Sequence, residues 1–169
     1  MSSELKSTNP DDARRPEALE LFHKAYEHQM RGELNEAERL YKQSIELYPT
    51  AEAHTFLGWA YSFDGLYDDA INECRKAIQL DPDFGNPYND IGAYLIEKGR
   101  LDDAIPWLEK ATLAKRYDSY CFPYYNLGRI WEAKGEWNKA LESYKKALKL
   151  NPDYTLALRA LYGLQGLFN

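Results

Sequence analysis

The chain has 169 residues, of which 44% are apolar and 28% charged, with a net charge of −6. That much apolar material can close a core, and no apolar run approaches the roughly 18–20 residues a bilayer crossing needs, so no membrane association is expected; mean hydropathy is −0.66 and the pI about 5.2. The acidic balance argues against general nucleic-acid binding, and two cysteines outside any CxxC pair, Cys74 and Cys121, fit a reducing, cytoplasmic compartment rather than a disulfide framework.

Residues 1–15 are polar, carry no apolar stretch of the secretion-signal kind, and are expected to form a disordered arm. From residue 16 the chain repeats itself. Gly32, Gly65, Gly99 and Gly135 lie 33, 34 and 36 residues apart, and an alanine follows each by five: Ala37, Ala70, Ala104 and Ala140. These define units at 17–50, 51–84, 85–118 and 121–154. Each reads as two helices, the first stopped by a glycine in the left-handed region. The first unit carries Leu21, Lys24, Ala25 and His28, then Ala37, Tyr41, Ser44 and Pro49. The second carries His54, Leu57, Gly58 and Tyr61, then Ala70, Cys74, Ala77 and Pro82. The third carries Tyr88, Ile91, Gly92 and Leu95, then Ala104, Leu108 and Ala111, with Arg116 in the closing proline's place. The fourth carries Tyr124, Leu127, Gly128 and Trp131, then Ala140, Tyr144, Ala147 and Pro152. Small residues at fixed steps mark close helix approaches, where an added methyl would force the helices apart. The 36-residue step leaves two extra residues near Ser119 and Tyr120, where the stack is expected to open or re-angle. Residues 155–169 keep helical apolar spacing through Leu158, Leu161, Leu164 and Phe168.

This pattern resembles the tetratricopeptide repeat, a 34-residue helix–turn–helix unit, over residues 16–154. The resemblance implies an all-α, right-handed superhelical solenoid of antiparallel helix pairs, four units plus a C-terminal capping helix at 155–169. No unit can bury its apolar stripe alone, so neighbours must stack. Lys24 and His28 stand where apolar residues are expected, in keeping with an atypical terminal unit with one wet face.

Catalytic signatures are absent from the sequence: there is no GxxxxGK[ST], HExxH or GxSxG. No catalytic residue, metal ligand or cofactor is expected. Asp68–Asp69 and Asp102–Asp103 fall in the first turn of second helices, where carboxylates suit the helix dipole. His23 and His28 point to different faces at 100° per residue, and His54 holds a core position. Cys74 reads as a small buried hydrophobe; Cys121 falls in the irregular connection.

Helical geometry places positions 2, 5, 9, 12 and 13 of each first helix on one side. In the family this side lines a concave groove for extended or helical peptides. By register it receives Phe22 and Tyr26, Thr55 and Trp59, Asn89, and Tyr125 and Arg129, flanked at position 6 by Phe56, Asp90 and Asn126. Exposed rings gathered together mark a binding surface. The expected function is therefore a non-catalytic protein-interaction scaffold holding a peptide or partner helix, the rings desolvating its apolar side chains and Asn89, Asn126 and Arg129 fixing its register. Some family members clamp the C-terminal carboxylate of chaperones with basic and Asn residues at positions 5 and 9. Here those positions hold Phe22/Tyr26, Thr55/Trp59 and Asn89/Ala93, without a lysine, so no chaperone-tail binding is expected. The alternative is a self-associating homo-oligomer joined through the solenoid ends or the greasy C-terminal helix.

Overall fold

A computed structural model describes residues 10–167, which contain nine α-helices. They divide into two compact units meeting between Leu80 and Asp81.

Unit one holds α1 (Pro10–Met30), α2 (Leu34–Leu47), α3 (Ala51–Phe63) and α4 (Tyr67–Leu80). The arm expected over 1–15 is corrected from residue 10 onward: α1 begins there and runs through Pro16. Residues 1–9 lie outside the described residues. Unit two holds α5 (Asn86–Glu97), α6 (Leu101–Leu113), α7 (Cys121–Ala133), α8 (Trp137–Leu150) and α9 (Thr155–Gly166).

The four hairpins turn by one device. Gly32, Gly65, Gly99 and Gly135 have φ of 78°, 72°, 72° and 74°. Each glycine N–H donates to a carbonyl three residues back, and the next N–H reaches five back, as from Glu33 to His28 at 2.9 Å and Glu136 to Trp131 at 2.8 Å. These paired bonds satisfy the orphan carbonyls of a helix end only if one residue is left-handed, which glycine allows. Thr50 then caps α3 by accepting from Ala53 N–H at 3.1 Å.

Within each hairpin the small residues set the approach. Ala37, Ala70, Ala104 and Ala140 are fully buried. A Cβ at Gly92 or Gly128 would collide with the Leu108 or Tyr144 side chain. At Gly58 the opposing side chain is only Cys74, and a Cβ would instead stand 2.9 Å from the Ala70 carbonyl oxygen.

The irregular connection is closed by contacts that stand in for the missing proline. Arg116 N–H donates to Asp83 O, and Gly85 N–H donates to Arg116 O, both at 2.9 Å. The Arg116 guanidinium lies 4.0 Å above the Phe84 ring and donates to Asp81 Oδ2 through Nε at 2.9 Å and Nη2 at 2.6 Å. Tyr117 is buried beneath Gly85, where a Cβ would stand only 2.5 Å from its ring. Cys121 opens α7 and is buried, so it is not an exposed thiol of the connection.

The last helix, α9, buries Ala157 and Leu164 and packs Ala160 and Leu161 against Ala140 and Tyr144 of α8. Leu158 is half-buried, and Phe168 lies outside the described residues.

Candidate functional site

In unit one the first helices α1 and α3 bring their rings into one ladder. Phe22 meets Phe56 edge-on at 5.3 Å, and Tyr26 meets Phe56 at 5.6 Å. Phe56 meets Trp59 at 5.8 Å, and Trp59 meets Phe63 at 5.6 Å. Tyr41 of α2 supports it from below, 5.7 Å from Phe22. Such edge-to-face pairs are favoured by the ring quadrupole. The ladder is not sealed: Tyr26 is 40% exposed and Phe63 55%, Leu19 and Met30 of α1 are exposed beside them, and Phe22, Phe56 and Trp59 are half-buried. Arg15, Ala18, Leu19, Phe22, Ser44 and Tyr48 line most of a cleft of about 240 Å³ in the same unit. The sequence reading missed this cleft, because it placed Arg15 in the arm, treated Ser44 only as a repeat position and did not single out Tyr48.

Thr55 does not join the exposed face. It is buried, and its hydroxyl donates to Ala51 O at 2.7 Å within α3, so its expected contact with a ligand is corrected. Gln29 is buried too: its Oε1 accepts from the Tyr41 hydroxyl at 2.7 Å, and its Nε2 has no partner among the described residues. Burial pushes the Tyr41 phenol upward.

In unit two the corresponding face is polar. Arg129 Nη1 donates to Asn126 Oδ1 at 3.3 Å, Asn126 Nδ2 to Asn89 Oδ1 at 3.1 Å, and Asn89 Nδ2 to Asp90 Oδ1 at 3.3 Å. Arg129 Nη2 also pairs with Glu97 Oε1 at 2.8 Å. Asn89 and Asn126 are buried and bonded to each other. They are corrected from ligand-reading groups to a floor, because α5 and α7 pack at these positions and each amide takes the other as its partner. Asp90 is half-buried, and burial pushes its carboxyl up to about 7, against a smaller opposing effect of the Asn89 hydrogen bond. Beside this row Tyr125 meets Tyr154 edge-on at 5.1 Å and lies tilted against Tyr144 at 5.8 Å, and exposed Phe122 meets Tyr154 at 5.3 Å. The sequence reading did not single out Tyr154, which stands just ahead of α9 and outside the register used for first helices.

The histidines are engaged singly. His23 meets Phe22 edge-on at 5.6 Å, His28 pairs with Glu33, and His54 Nδ1 lies 2.6 Å from Glu73 Oε2. Among the described residues no three His, Cys, Asp or Glu side chains gather as a metal site, and no helix is long and apolar enough to cross a membrane.

With hairpin, glycine turn and small-residue contact established, the chain belongs to the tetratricopeptide-repeat family, whose models match residues 51–84, 86–118 and 123–154. A UDP-N-acetylglucosamine–peptide N-acetylglucosaminyltransferase of Giardia intestinalis is 30% identical over 94% of this chain, which spans 12% of that protein. Anaphase-promoting complex subunit 3 of Schizosaccharomyces pombe is 28% identical over 76% of the chain, which spans 19% of it. The chain is thus a small fraction of the length of these relatives. The solved structure of Pseudomonas aeruginosa pilF matches with a TM-score of 0.81 at 24% identity, covering 92% of this chain and 69% of that one. YrrB, a repeat protein with an unusual peptide-binding site, matches with a TM-score of 0.68 at 22% identity, covering 85% and 73%. These two likenesses concern the fold.

Proposed function

We propose that this chain is a non-catalytic protein-interaction scaffold that holds a peptide or partner helix against the ring ladder of α1 and α3. The family's general role in protein–protein interaction supports the class. The observation that carries the finer reading is the run of rings from Phe22 through Phe56 and Trp59 to Phe63, left partly open beside exposed Leu19, Tyr26 and Met30. Phe22 and Phe56 also pack against the buried cluster around Tyr41 and Leu57, but rings left exposed together mark a binding surface, and aromatic anchors dominate binding energies. The ligand's apolar side chains would lose water against these rings, with an affinity on the order of micromolar, about −8 kcal/mol. In unit two, the ligand-facing side chains of this reading are Tyr125, Phe122, Arg129 and the half-buried Asp90. Chaperone tails are not among the proposed ligands, since no lysine stands at the positions that would clamp a carboxylate. Neither nucleic acid nor membrane is proposed, given the net charge of −6. Cys74 and Cys121, both buried and in no disulfide among the described residues, support a reducing, cytoplasmic setting.

The test is a peptide selected from a displayed library on the folded chain, then titrated calorimetrically. We expect Trp59→Ala and Tyr26→Ala each to weaken binding by more than about 1 kcal/mol. Unchanged affinity for both folded variants overturns the assignment. Self-association is the second reading, supported by Leu156 and Tyr162 of α9 and Leu167 just after it, all exposed.

A further inference from the structure

The cleft of unit one lies at one end of the ring ladder. Ala18, Leu19 and Phe22 of α1 line it together with Tyr48, the residue that ends α2. Its volume of about 240 Å³ exceeds the roughly 150 Å³ of an apolar cavity that holds a benzene ring. Its polar groups are already served. The Ser44 hydroxyl donates to Ala18 O at 2.7 Å, and Thr50 Oγ1 accepts from Ala53 N–H at 3.1 Å. Glu52 has an interaction of its own. An apolar group can therefore enter without stranding a buried donor or acceptor.

The charges at the cleft narrow its occupant further. Arg15 and Glu52 both line it, so a charged group of either sign is attracted by one and opposed by the other. A neutral group escapes that conflict. Among neutral groups a ring gains most. The Arg15 guanidinium stands 5.7 Å from the centroid of the Tyr48 ring, which places a cation and aromatic surface in the same cleft. A second ring can offer its electron-rich face to the guanidinium and meet Tyr48 or Phe22 edge-on. A saturated group of equal size gains only the buried area. Phe22 belongs to the cleft and to the ladder alike, through its 5.3 Å contact with Phe56. A partner anchored in the cleft therefore has the exposed rings of α1 and α3 directly beside it.

We propose that this cleft is the anchor subsite of the peptide site and receives an aromatic side chain of the partner, whose neighbouring residues lie along the ladder. Arg15 is the residue that selects the ring over an aliphatic group. The proposal rests on the reading of this chain as a peptide-binding module, and it adds the chemistry of one ligand residue and the place where it sits.

The experiment titrates the ¹³C,¹⁵N-labelled full chain with Nα-acetyl-phenylalanine methylamide, with its cyclohexylalanine counterpart and with its alanine counterpart. The Ala18 methyl and the Arg15 Nε–H are followed. Affinity is read from the concentration dependence, because only the aromatic probe carries a ring current and shift size would mislead. We expect the phenylalanine probe to saturate both signals with a Kd on the order of millimolar. The cyclohexyl probe should bind about two- to fivefold more weakly, the size of an exposed cation–π contact, and the alanine probe should not saturate. Selection on apolar area alone would not favour the aromatic probe. Arg15→Met keeps an unbranched stem and should erase the preference. Arg31→Met, at an exposed residue just past the other end of α1, should keep it. An Ala18 methyl that does not respond, a cyclohexyl probe bound as tightly as the aromatic one, or a preference that survives Arg15→Met would overturn the proposal. The probe comparison needs only the wild-type chain, so it stands even if a variant fails to fold. Trp59 does not line the cleft, and Trp59→Ala is expected to keep the probe response, so failure of the ring-ladder reading and failure of the cleft leave different patterns.

Discussion

His54 of α3 and Glu73 of α4 cross-link a hairpin at a position that most repeats fill with a bulky apolar group. Both are buried; Nδ1 lies 2.6 Å from Oε2, and Lys76 holds Oε1 at 2.6 Å. With the carboxylate ionised, Nδ1 must carry the proton. Burial works to raise the Glu73 pKa, but the hydrogen bonds and charges of His54 and Lys76 outweigh it and hold the group below its ordinary value. A lowered native pKa means that the unfolded chain binds the proton more readily. The stabilisation is therefore complete above the unfolded pKa of about 4.3 and is lost as pH falls through the lower native value. We expect Glu73→Gln to cost about 1–2 kcal/mol at pH 7 and to flatten the loss of stability below about pH 4.5. Urea denaturation at several pH values reads both, and parallel acid limbs for wild type and variant would contradict it. The residue scale was only partly legible in the sequence. His54 read as a filler of the core, because its partner is nineteen positions away and only the folded hairpin brings them together.

At the scale of the hairpin, the decisive quantity is how closely two helices approach. Position by position, glycine on the first helix faces a larger group on the second: Gly92 faces Leu108, and Gly128 faces Tyr144. Where the partner shrinks to Cys74, backbone takes up the contact at Gly58. Tyr144 is nearly fully buried, and its hydroxyl is tied to Glu132 at 2.6 Å, so the ring cannot swing away cheaply. We expect Gly128→Ala to destabilise the chain by about 1–3 kcal/mol through overpacking, beyond any gain in helix propensity. Thermal unfolding monitored by circular dichroism measures it, and an unchanged or raised Tm would refute the packing argument. These contacts were readable in advance, because a recurrent glycine at a fixed step has few physical reasons other than close approach. The Arg116 closure was not readable. The sequence showed a missing proline, while the bond to Asp81 and the stacking on Phe84 join residues more than thirty positions apart.

The whole chain carries its charge unevenly, −3 over residues 1–50, −6 over 51–118 and +3 over 119–169. Its last described helix, α9, exposes Leu156 and Tyr162 among the polar side chains Arg159 and Gln165. Leu156 and Leu167 are exposed, and Tyr162 is 66% exposed. If self-association runs through this surface, we expect the sedimentation coefficient of the wild type to rise with concentration and that of Leu156→Glu combined with Tyr162→Glu to stay at the monomer value. A wild type that sediments as a monomer at every concentration removes this reading.

What the sequence determined by itself is the hairpin plan: the number of units, the helix that follows them, and the turn in each. These follow from local causes, namely a 3.6-residue apolar period, a glycine that alone takes positive φ without strain, and alanines spaced for close packing. What only the tertiary structure decided is which side chains of the expected groove face water. The same register that exposes Tyr26 buries Thr55, and it turns Asn89 and Asn126 into partners of each other. It leaves Asp90 half-buried without a counter-ion. Exposure and pairing depend on what a neighbouring helix places opposite, and a register within one helix does not contain that information.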